Sequence, residues 1–466
     1  MTVGDYQVRT DHRRRRTILI AILALALIVR LAVIVSTPHF VPYGDPADYD
    51  RYAHTLAVTG RFPPTGYAHP GSPTAFRPPA YPTLLAITYG LTGSRWSAGR
   101  VLGAMLGTLT VLLTLLLAEA LWGWPTGAWA GGLAAVFLPL VWLNGSLLSE
   151  SLFLPLELGL VLCLIAYRRL PRLAVALAAG ALCGAAALTR TVGLLLIIPT
   201  MLALVGHRRA GGEASEATGP RGRGSLVVAP AGAVVVMLLV LVPWTVRNEH
   251  EFHTLVPVST QDGFTLAGEY NPVAGRPDNF QAVWQLPYVV PSLRALFVTP
   301  AGADEAQLDR RLRDRALSYA LDHPGYVMTA VGLNTLRLID LGRGHTFVTA
   351  LFDREMGVPS AMQGQVTLEA DFILLLALVG GVTLFGRRRA TVPVPTFVWL
   401  VPVLMLLAVV PVLGAPRYRA PVDPFLVMVA AVGVVGMGPG IRQISAAARR
   451  CGRGDSNVRR PSPTNS

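Results

Sequence analysis

The stretch YGDPADYDRYAHTLAVTGRFPPTGYAHPGSPTAFRPPAYP, residues 43–82, directly follows the first long apolar run and is the chain's first dense block of acids, aromatics, prolines and histidines. Gly44-Asp45-Pro46-Ala47-Asp48 reads as a helix start, with Asp45 at the N-cap, Pro46 at N1 and Asp48 at N3. The residues that follow put Tyr49, Tyr52, Ala53, Leu56 and Ala57 on one face and Asp48, Arg51 and Thr55 on another. A helix patterned in this way lies along a membrane surface and does not cross it. Pro78, Pro79 and Pro82 then break the chain before a second short amphipathic candidate, Thr83–Leu91. Long ordered loops are usually functional, so this loop is the first place to look for a site.

The rest of the composition sets the solvent in which that loop is read. Of 466 residues, 52% are hydrophobic and only 14% charged, with a mean hydropathy of +0.49, which places the chain among polytopic membrane proteins. Apolar runs occur near Ile18–Val35, Val101–Leu121, Ala128–Leu143, Leu147–Ala166, Leu173–Leu188, Val192–Leu204, Leu226–Trp244, Ala370–Phe385, Val394–Leu413 and Phe425–Met437. Counted as spans, they predict an all-α membrane protein with about ten transmembrane helices and amphipathic interfacial helices in its outer loops. Val192–Leu204 is short for a span and reads equally as a re-entrant segment. The first run follows Arg13–Arg16 and lacks a small-residue cleavage site, so it reads as a retained anchor and not a removed leader.

The net charge of +13 would suggest a nucleic-acid partner, but the positions of the charges argue against one. All 40 basic residues are arginine, and many sit in clusters between apolar runs. With the N-terminus inside, Arg13–Arg16, Arg168/Arg169/Arg172, Arg208/Arg209/Arg221/Arg223, Arg387–Arg389 and the Arg442–Arg460 tail all fall on the cytoplasmic side, as the positive-inside rule requires. The inner turn Trp122–Gly127 carries none. Residues 1–17 then form a basic cytoplasmic N-terminus, 18–441 the membrane domain with outer loops at 37–96 and 247–369, and 442–466 a disordered cytoplasmic tail. Within the second outer loop, Ala301–Leu321 reads as a charged surface helix. Tyr326–Leu341 reads as an interfacial one, with Asn334, Arg337 and Asp340 on its polar side. Cys163, Cys183 and Cys451 are far apart and form no CxxC, so neither a disulfide framework nor a cysteine–zinc site is expected.

This topology gathers one set of polar residues on the outer face. Asp45 has an ordinary reading as a helix cap, and a functional one from its neighbours Asp48, Asp50, His54, His69 and Arg77. Asp48-Tyr49-Asp50 spells D-x-D, but on a helix the two carboxylates diverge. Glu150 opens an apolar span, where the helix dipole favours an acid and where a carboxylate at membrane depth is also a functional candidate. Arg190, Arg247, Arg417 and Arg419 stand at outer membrane ends, against the positive-inside trend, and Arg30 lies inside the first span. Snorkelling explains one such arginine more easily than several on the same side. Guanidinium forks suit phosphate or pyrophosphate. Pro416 and Pro421 bracket Arg417-Tyr418-Arg419 and keep that triplet out of helix. His54, His69, Asp45 and Glu150 are available to a divalent ion, although no ligand spacing demands one, and the metal requirement stays open.

Six short motifs fall in one order: Asp45 in GDPADY, Arg77-Pro78-Pro79-Ala80-Tyr81-Pro82, Leu148-Ser149-Glu150-Ser151-Leu152, Pro243-Trp244-Thr245-Val246-Arg247-Asn248, Pro257-Val258-Ser259-Thr260 and Pro416-Arg417-Tyr418-Arg419-Ala420-Pro421. From about Arg30 to Pro424 this order resembles the GT-C membrane glycosyltransferases, specifically the glycosyltransferase family 39-like group that includes protein O-mannosyltransferases and aminoarabinose transferases. The resemblance implies a GT-C-type fold, a polyprenyl-phosphate sugar as donor, Asp45 as catalytic base and Glu150 as a second active-site acid. Arg190, Arg247, Arg417, Tyr418 and Arg419 are the candidates for the donor phosphate, and Asp48, Tyr49, His69, Arg77 and Tyr81 for the substrate loop. Protein O-mannosyltransferases carry an Asp-Glu pair in the first loop, where this chain has Asp45-Pro46, so the acceptor stays open among protein, lipid and glycan.

The chemistry is coherent without the family. A hydroxyl attacking an anomeric carbon needs a positioned base, which a carboxylate supplies. A phosphate leaving group needs charge stabilisation, which arginines supply. One base and no evident second nucleophile favour a single displacement with inversion. The expectation is therefore a multi-pass enzyme of the cell membrane with its active site on the extracytoplasmic face, acting at the bilayer. A transporter of a lipid-linked or anionic substrate is the alternative, and would show inverted repeats and mid-membrane ionisable residues. A lipid phosphatase would want a histidine-centred phosphate site, which Ala68-His69-Pro70-Gly71-Ser72-Pro73 suggests only superficially. A non-catalytic scaffold leaves the polar loop unexplained.

Overall fold

Apolar runs in lipid can satisfy their backbone polar groups internally only as helices or closed barrels, and here they form helices. A computed structural model of the chain describes residues 3–68, 71–93, 95–205, 225–298, 304–386 and 394–451, and contains no strand among them. Helix α1 (Val3–Ser36) joins the basic cluster and the first apolar run in one element, and α2 (Asp45–Thr59) and α3 (Ala80–Thr92) form from the polar loop. Next come α4 (Trp96–Trp122), α5 (Trp124–Val136), α6 (Leu138–Asn144), α7 (Glu150–Arg169) and α8 (Leu173–Thr189). A 3-10 segment, Thr191–Leu196, leads into α9 (Ile197–Val205), and α10 (Ser225–Phe252) follows. The long outer segment contains α11 (Asp262–Glu269), α12 (Pro291–Phe297), α13 (Glu305–Asp322), α14 (Pro324–Arg337) and α15 (His345–Glu355). The chain closes with α16 (Ser360–Gly386), α17 (Thr396–Val409), a 3-10 turn at Pro416–Arg419 and α18 (Asp423–Cys451).

Five helices among the described residues are long and apolar enough to cross a membrane: His12–Ser36, Trp96–Trp122, Glu150–Arg169, Val227–Phe252 and Ser360–Gly386. The pair α5 and α6, bent by 58°, makes a sixth if it is one span. The chain is a multi-pass membrane protein, but the expected count of about ten exceeds these lengths. The other apolar runs form shorter helices, such as Leu173–Thr189 and Thr396–Val409, below the ~20 residues that a straight crossing needs. Val192–Leu204 is not one helix, since it divides between the 3-10 segment and α9. Helix α18 continues to Cys451, into the part that reads as a cytoplasmic tail. The arginine clusters at 208–223 and 387–389 lie outside the described residues.

The bend between α5 and α6 has a definite cause. Pro139 has no N–H to give the Ala135 carbonyl, and its ring crowds that turn. Charged side chains replace the lost backbone bonds. Arg30, fully buried in α1, donates to Ala135 O at 3.1 Å and to Asn144 Oδ1 at 3.0 Å, while Glu369 of α16 accepts from the Leu138 N–H at 2.8 Å. Arg30 therefore belongs to the helix break and not to the outer arginine set with which its position grouped it.

Helix α4 passes this junction through a stripe of small residues, Gly99, Gly103 and Gly107, spaced so that they share one face. A Cβ on Gly103 would land on Asn144 O, and one on Gly107 would land on Asn144 Oδ1 and 2.5 Å from Arg30 Nε. The segment between α10 and α16 is joined to the first loop through buried polar contacts. Glu305, 2% exposed, accepts from Thr65 Oγ1 at 2.5 Å, Thr74 Oγ1 at 2.8 Å and Ala75 N at 2.9 Å, and also from Thr260 Oγ1. This clamp fixes the first loop to the second. Helix α14 does not present its polar side to an interface: Asn334 and Arg337 are buried, with Arg337 donating to the carbonyls of Gln281, Ala282 and Arg343.

Replacing Gly107 by Ala should therefore lower thermal stability in detergent by an overpacking cost of about 1–3 kcal/mol. Gly132→Ala, where an added Cβ meets nothing within 4 Å, should raise it by about 0.5–1 kcal/mol through lost chain entropy. A Gly107→Ala protein that melts no lower than Gly132→Ala would contradict this packing.

Candidate active site

Asp45 is not an N-cap. Gly44 takes that position at φ +64°, no side chain caps the helix, and Asp45 is the first residue of α2. Gly44 is required twice: its backbone is left-handed, and a Cβ there would collide with the Glu355 carboxylate. Freed from capping, the Asp45 carboxylate lies between two guanidiniums. Its Oδ1 accepts from Arg77 Nη2 at 2.5 Å and its Oδ2 from Arg417 Nη2 at 2.8 Å.

Arg417 is the hub. The proline-bracketed triplet, expected to stay out of helix, forms one short 3-10 turn, and that turn drives the Arg417 side chain inward to 1% exposure. Its Nε donates to Glu150 Oε1 at 3.1 Å, its Nη1 to Glu355 Oε2 at 2.5 Å and its Nη2 to Asp45. Arg190, in the break between α8 and the 3-10 segment, reaches the same Glu150 oxygen at 2.8 Å and also Ser149 Oγ at 3.2 Å. Arg77 also holds Asp48 at 2.9 Å. The Tyr49 hydroxyl donates to Ser149 Oγ at 2.9 Å, and its ring meets that of Tyr81 edge-on at 5.2 Å. The Tyr418 ring lies under both Arg417 and Arg190, at 5.1 and 5.9 Å.

Electrostatics separates the acids. Burial opposes the charge of Asp45, but Arg77 and Arg417 outweigh it and hold that carboxyl well below the usual carboxylate range. Glu355 has only Arg417; burial, and then the neighbouring Asp45 charge, push it up to about 7. Asp45, Asp48, Glu150 and Glu355 face the guanidiniums of Arg77, Arg190 and Arg417. One carboxylate is thus in excess inside the site, and a proton on Glu355 removes it. Arg51 touches Asp48 only from the rim, at 3.8 Å.

Not every expected residue comes to this place. Arg247 donates to Thr74 O at 2.9 Å and supports the first loop from behind. Arg419 pairs with Asp423 at 2.7 Å and donates to Leu338 O at 2.7 Å, facing away from Arg417. His69 lies outside the described residues. Tyr81 is fully buried beneath Tyr49. Glu355 was not anticipated. Its one sequence signal is its place near the end of a polar segment, five residues before α16 begins at Ser360. Among the described residues no three His, Cys, Asp or Glu side chains gather in a group that could hold a metal ion.

The site opens into a cavity of about 1230 Å³. Asp45, Asp48, Arg77, Arg190, Glu355 and Tyr418 line one part of it, while Tyr67, Phe264, Trp284, Tyr288, Phe347 and Val412 line another. The chain is thus an all-helical multi-pass protein with a buried acid–arginine cluster beside a large cavity, and solved membrane-protein structures share that fold. Archaeal oligosaccharyltransferase AglB from Archaeoglobus fulgidus, in complex with an inhibitory peptide and a dolichol-phosphate, aligns over 96% of this chain and 52% of its own, at 12% identity and a TM-score of 0.50. The Archaeoglobus fulgidus oligosaccharyltransferase tethered to an acceptor peptide aligns over 94% of this chain and 52% of its own, at 14% identity and a TM-score of 0.50. The likeness is one of fold, and this chain spans about half the length of those proteins. ArnT from Cupriavidus metallidurans bound to undecaprenyl phosphate aligns over 93% of this chain and 80% of its own at 16% identity, with a TM-score of only 0.39. No protein-family description and no curated protein matches the sequence.

The raised Glu355 pKa has a consequence with a fixed sign. A carboxyl that binds its proton more tightly folded than unfolded favours the folded state below its unfolded pKa of about 4.3, and that advantage is lost as pH rises toward the folded value of about 7. Glu355→Gln, which keeps an acceptor for Arg417, should flatten thermal stability between pH 5 and about 7. An unchanged pH slope in the variant would place the titrating group elsewhere.

Proposed function

We propose that this chain is an integral membrane glycosyltransferase that moves a sugar from a polyprenyl-phosphate donor to an extracytoplasmic acceptor by an inverting single displacement. The observation that carries this reading is the convergence of Asp45, Glu150 and Glu355 on the buried Arg417, directly behind the part of the cavity wall formed by Asp45, Arg190, Glu355 and Tyr418. Such a cluster suits a reaction with a proton to accept and a phosphate to release. The fold shared with AglB, a protein solved with dolichol-phosphate and peptide, supports the same class of donor.

In this mechanism the acceptor hydroxyl attacks the anomeric carbon, a new carbon–oxygen bond forms, and the bond to the phosphate oxygen breaks. Asp45 takes the hydroxyl proton. Arg417 and Arg190 receive the charge that develops on the departing polyprenyl phosphate. Asp45 in the resting site is a weak base because two arginines hold it. An incoming phosphate competes for Arg417 and raises the basicity of Asp45, which links donor binding to proton removal. Tyr418 holds the planes of both arginines. The five long helices and the bent pair supply up to six crossings of the plasma membrane, and this reading takes the four shorter apolar helices as further crossings completed by their flanking turns, about ten in all. The acid–arginine cluster then lies on the extracytoplasmic side.

Purified protein in liposomes should transfer sugar from polyprenyl phosphate and not from the matched nucleotide sugar. Asp45→Asn should lower transfer by roughly 10²–10⁴-fold. Arg417→Lys keeps the charge but not the fork and should lower it on the order of a hundredfold. Transfer from the nucleotide sugar alone would overturn the donor assignment, and near-normal transfer by Asp45→Asn would remove the base. The sidedness has its own test. A cysteine at Tyr43, which is 49% exposed, should label from outside intact cells with an impermeant reagent, and one at Arg169 only after permeabilisation. The opposite pattern would move the site to the cytoplasm.

A further inference from the structure

The cavity is larger than one substrate needs. Pockets that enclose a single small ligand measure about 300–1,000 Å³, and this one reaches about 1230 Å³. Its two parts also differ in chemistry. Away from the acid–arginine cluster the wall is aromatic: Tyr67 packs on Phe264 at 5.0 Å, and Phe264 on Trp284 at 5.8 Å. Phe264 is buried behind, whereas Tyr67 and Trp284 keep part of their surface toward the cavity. Gln261, Asp262 and Gln285 line the same wall together with Arg313, whose guanidinium attracts the Asp262 carboxylate.

This wall is rigidly tied to the reacting end. The Tyr67 hydroxyl donates to Asp48 Oδ2 at 3.3 Å. The Arg77 guanidinium, which holds Asp45, lies 5.1 Å from the Phe76 ring, and Phe76 packs on Tyr67 at 4.5 Å. The Trp284 indole N–H is fixed by Thr265 O at 2.9 Å, which locks the plane of its ring. A molecule on the wall is therefore held in register with the Asp45 carboxylate.

We propose that this wall is the acceptor subsite and that its occupant is a saccharide, a reading that rests on the transferase assignment above. The aromatic faces carry the negative part of the ring quadrupole and attract the weakly positive C–H face of a pyranose. The amide and carboxylate groups of Gln261, Asp262 and Gln285 stand where they pair with ring hydroxyls, which are donors and acceptors at once. The Gln285 amide already donates to Val283 O at 2.9 Å, but a plain isoprenoid or acyl chain would offer no partner to the Gln261 amide or the Asp262 carboxylate. The acceptor sugar thus lies on Trp284 and Tyr67 with one hydroxyl directed toward Asp45, and the donor phosphate occupies the arginine end.

Saturation-transfer NMR on the full chain in nanodiscs, with maltotriose, chitotriose and a short Ser/Thr peptide as probes, tests the assignment without requiring turnover. Saturation should reach the C–H protons of a saccharide probe. Trp284→Ala should weaken its binding about tenfold, and Trp284→Phe, which retains an aromatic face, about twofold to threefold. Asp262→Asn, an isosteric change at the exposed first residue of α11, should weaken it about threefold. Saturation of the peptide alone, of no probe, or of a saccharide equally well in Trp284→Ala and Asp262→Asn would overturn the proposal. Donor consumption by the wild-type protein separates the two readings. Saccharide binding at Trp284 without use of any polyprenyl-phosphate sugar would sink the transferase and leave the saccharide site. Donor use with no saccharide at the wall would do the reverse.

Discussion

A guanidinium with 1% of its surface exposed cannot stay charged in this bundle without partners, and Arg417 has three. They come from α2, α7 and α15, and Asp45 is 372 positions away in the chain. The five N–H groups of an arginine make this possible, because the planar fork addresses Glu150, Glu355 and Asp45 from three directions. Each of these acids would be costly to bury alone, and removing the shared cation would leave all of them uncompensated. The first polar loop, the mouth of a span and the last outer helix are therefore held in one arrangement by one side chain. Gly44 allows it, since a larger residue there would push Glu355 out of reach.

Much of the surrounding structure supports that arrangement by similar means. Glu305 gathers the hydroxyls of Thr65, Thr74 and Thr260 and so clamps the loop that carries Asp45 and Arg77. Arg419 binds the Leu338 carbonyl at the end of α14, Arg337 binds carbonyls of the turns at Gln281 and Ala282, and Arg30 binds Ala135 O where Pro139 interrupts a helix. In a chain without lysine, arginine thus has two duties. Some arginines satisfy backbone carbonyls, others face the carboxylates of the cluster, and Arg419 does both through Leu338 O and Asp423.

That division explains how far the site was legible in the sequence. Asp45, Glu150, Arg190 and Arg417 stood out because each lies where an apolar run begins or ends, and the fold brings those ends together. Arg247 and Arg419 met the same criterion but face Thr74 O and Asp423. Nothing in the local sequence distinguishes an arginine that caps a carbonyl from one that faces an acid, since both duties fall at helix termini. Glu355 was illegible for the opposite reason. It lies in a polar outer segment among several acids, and only the tertiary approach of Gly44 and Arg417 sets it apart. The all-helical class followed from composition alone. The span count did not, because helix length in a packed bundle depends on 3-10 breaks and prolines as much as on apolarity.

The charge balance of the cluster gives the proposed reaction an order of events. Burial and the Asp45 charge raise the proton affinity of Glu355, so a proton there can offset the extra negative charge, and Asp45 is held by two arginines. A phosphate entering near Arg190 and Arg417 adds negative charge, which favours the protonated form of Glu355 further. It also draws Arg417 toward itself, so Asp45 keeps Arg77 but loses part of its second partner. The basicity of Asp45 then rises only when a donor is present, and an acceptor hydroxyl alone meets a carboxylate too well satisfied to accept its proton. Under the proposed reaction, the arginine that makes the resting site stable would also be the group whose displacement makes it reactive, and catalysis would then depend on the presence of the lipid phosphate.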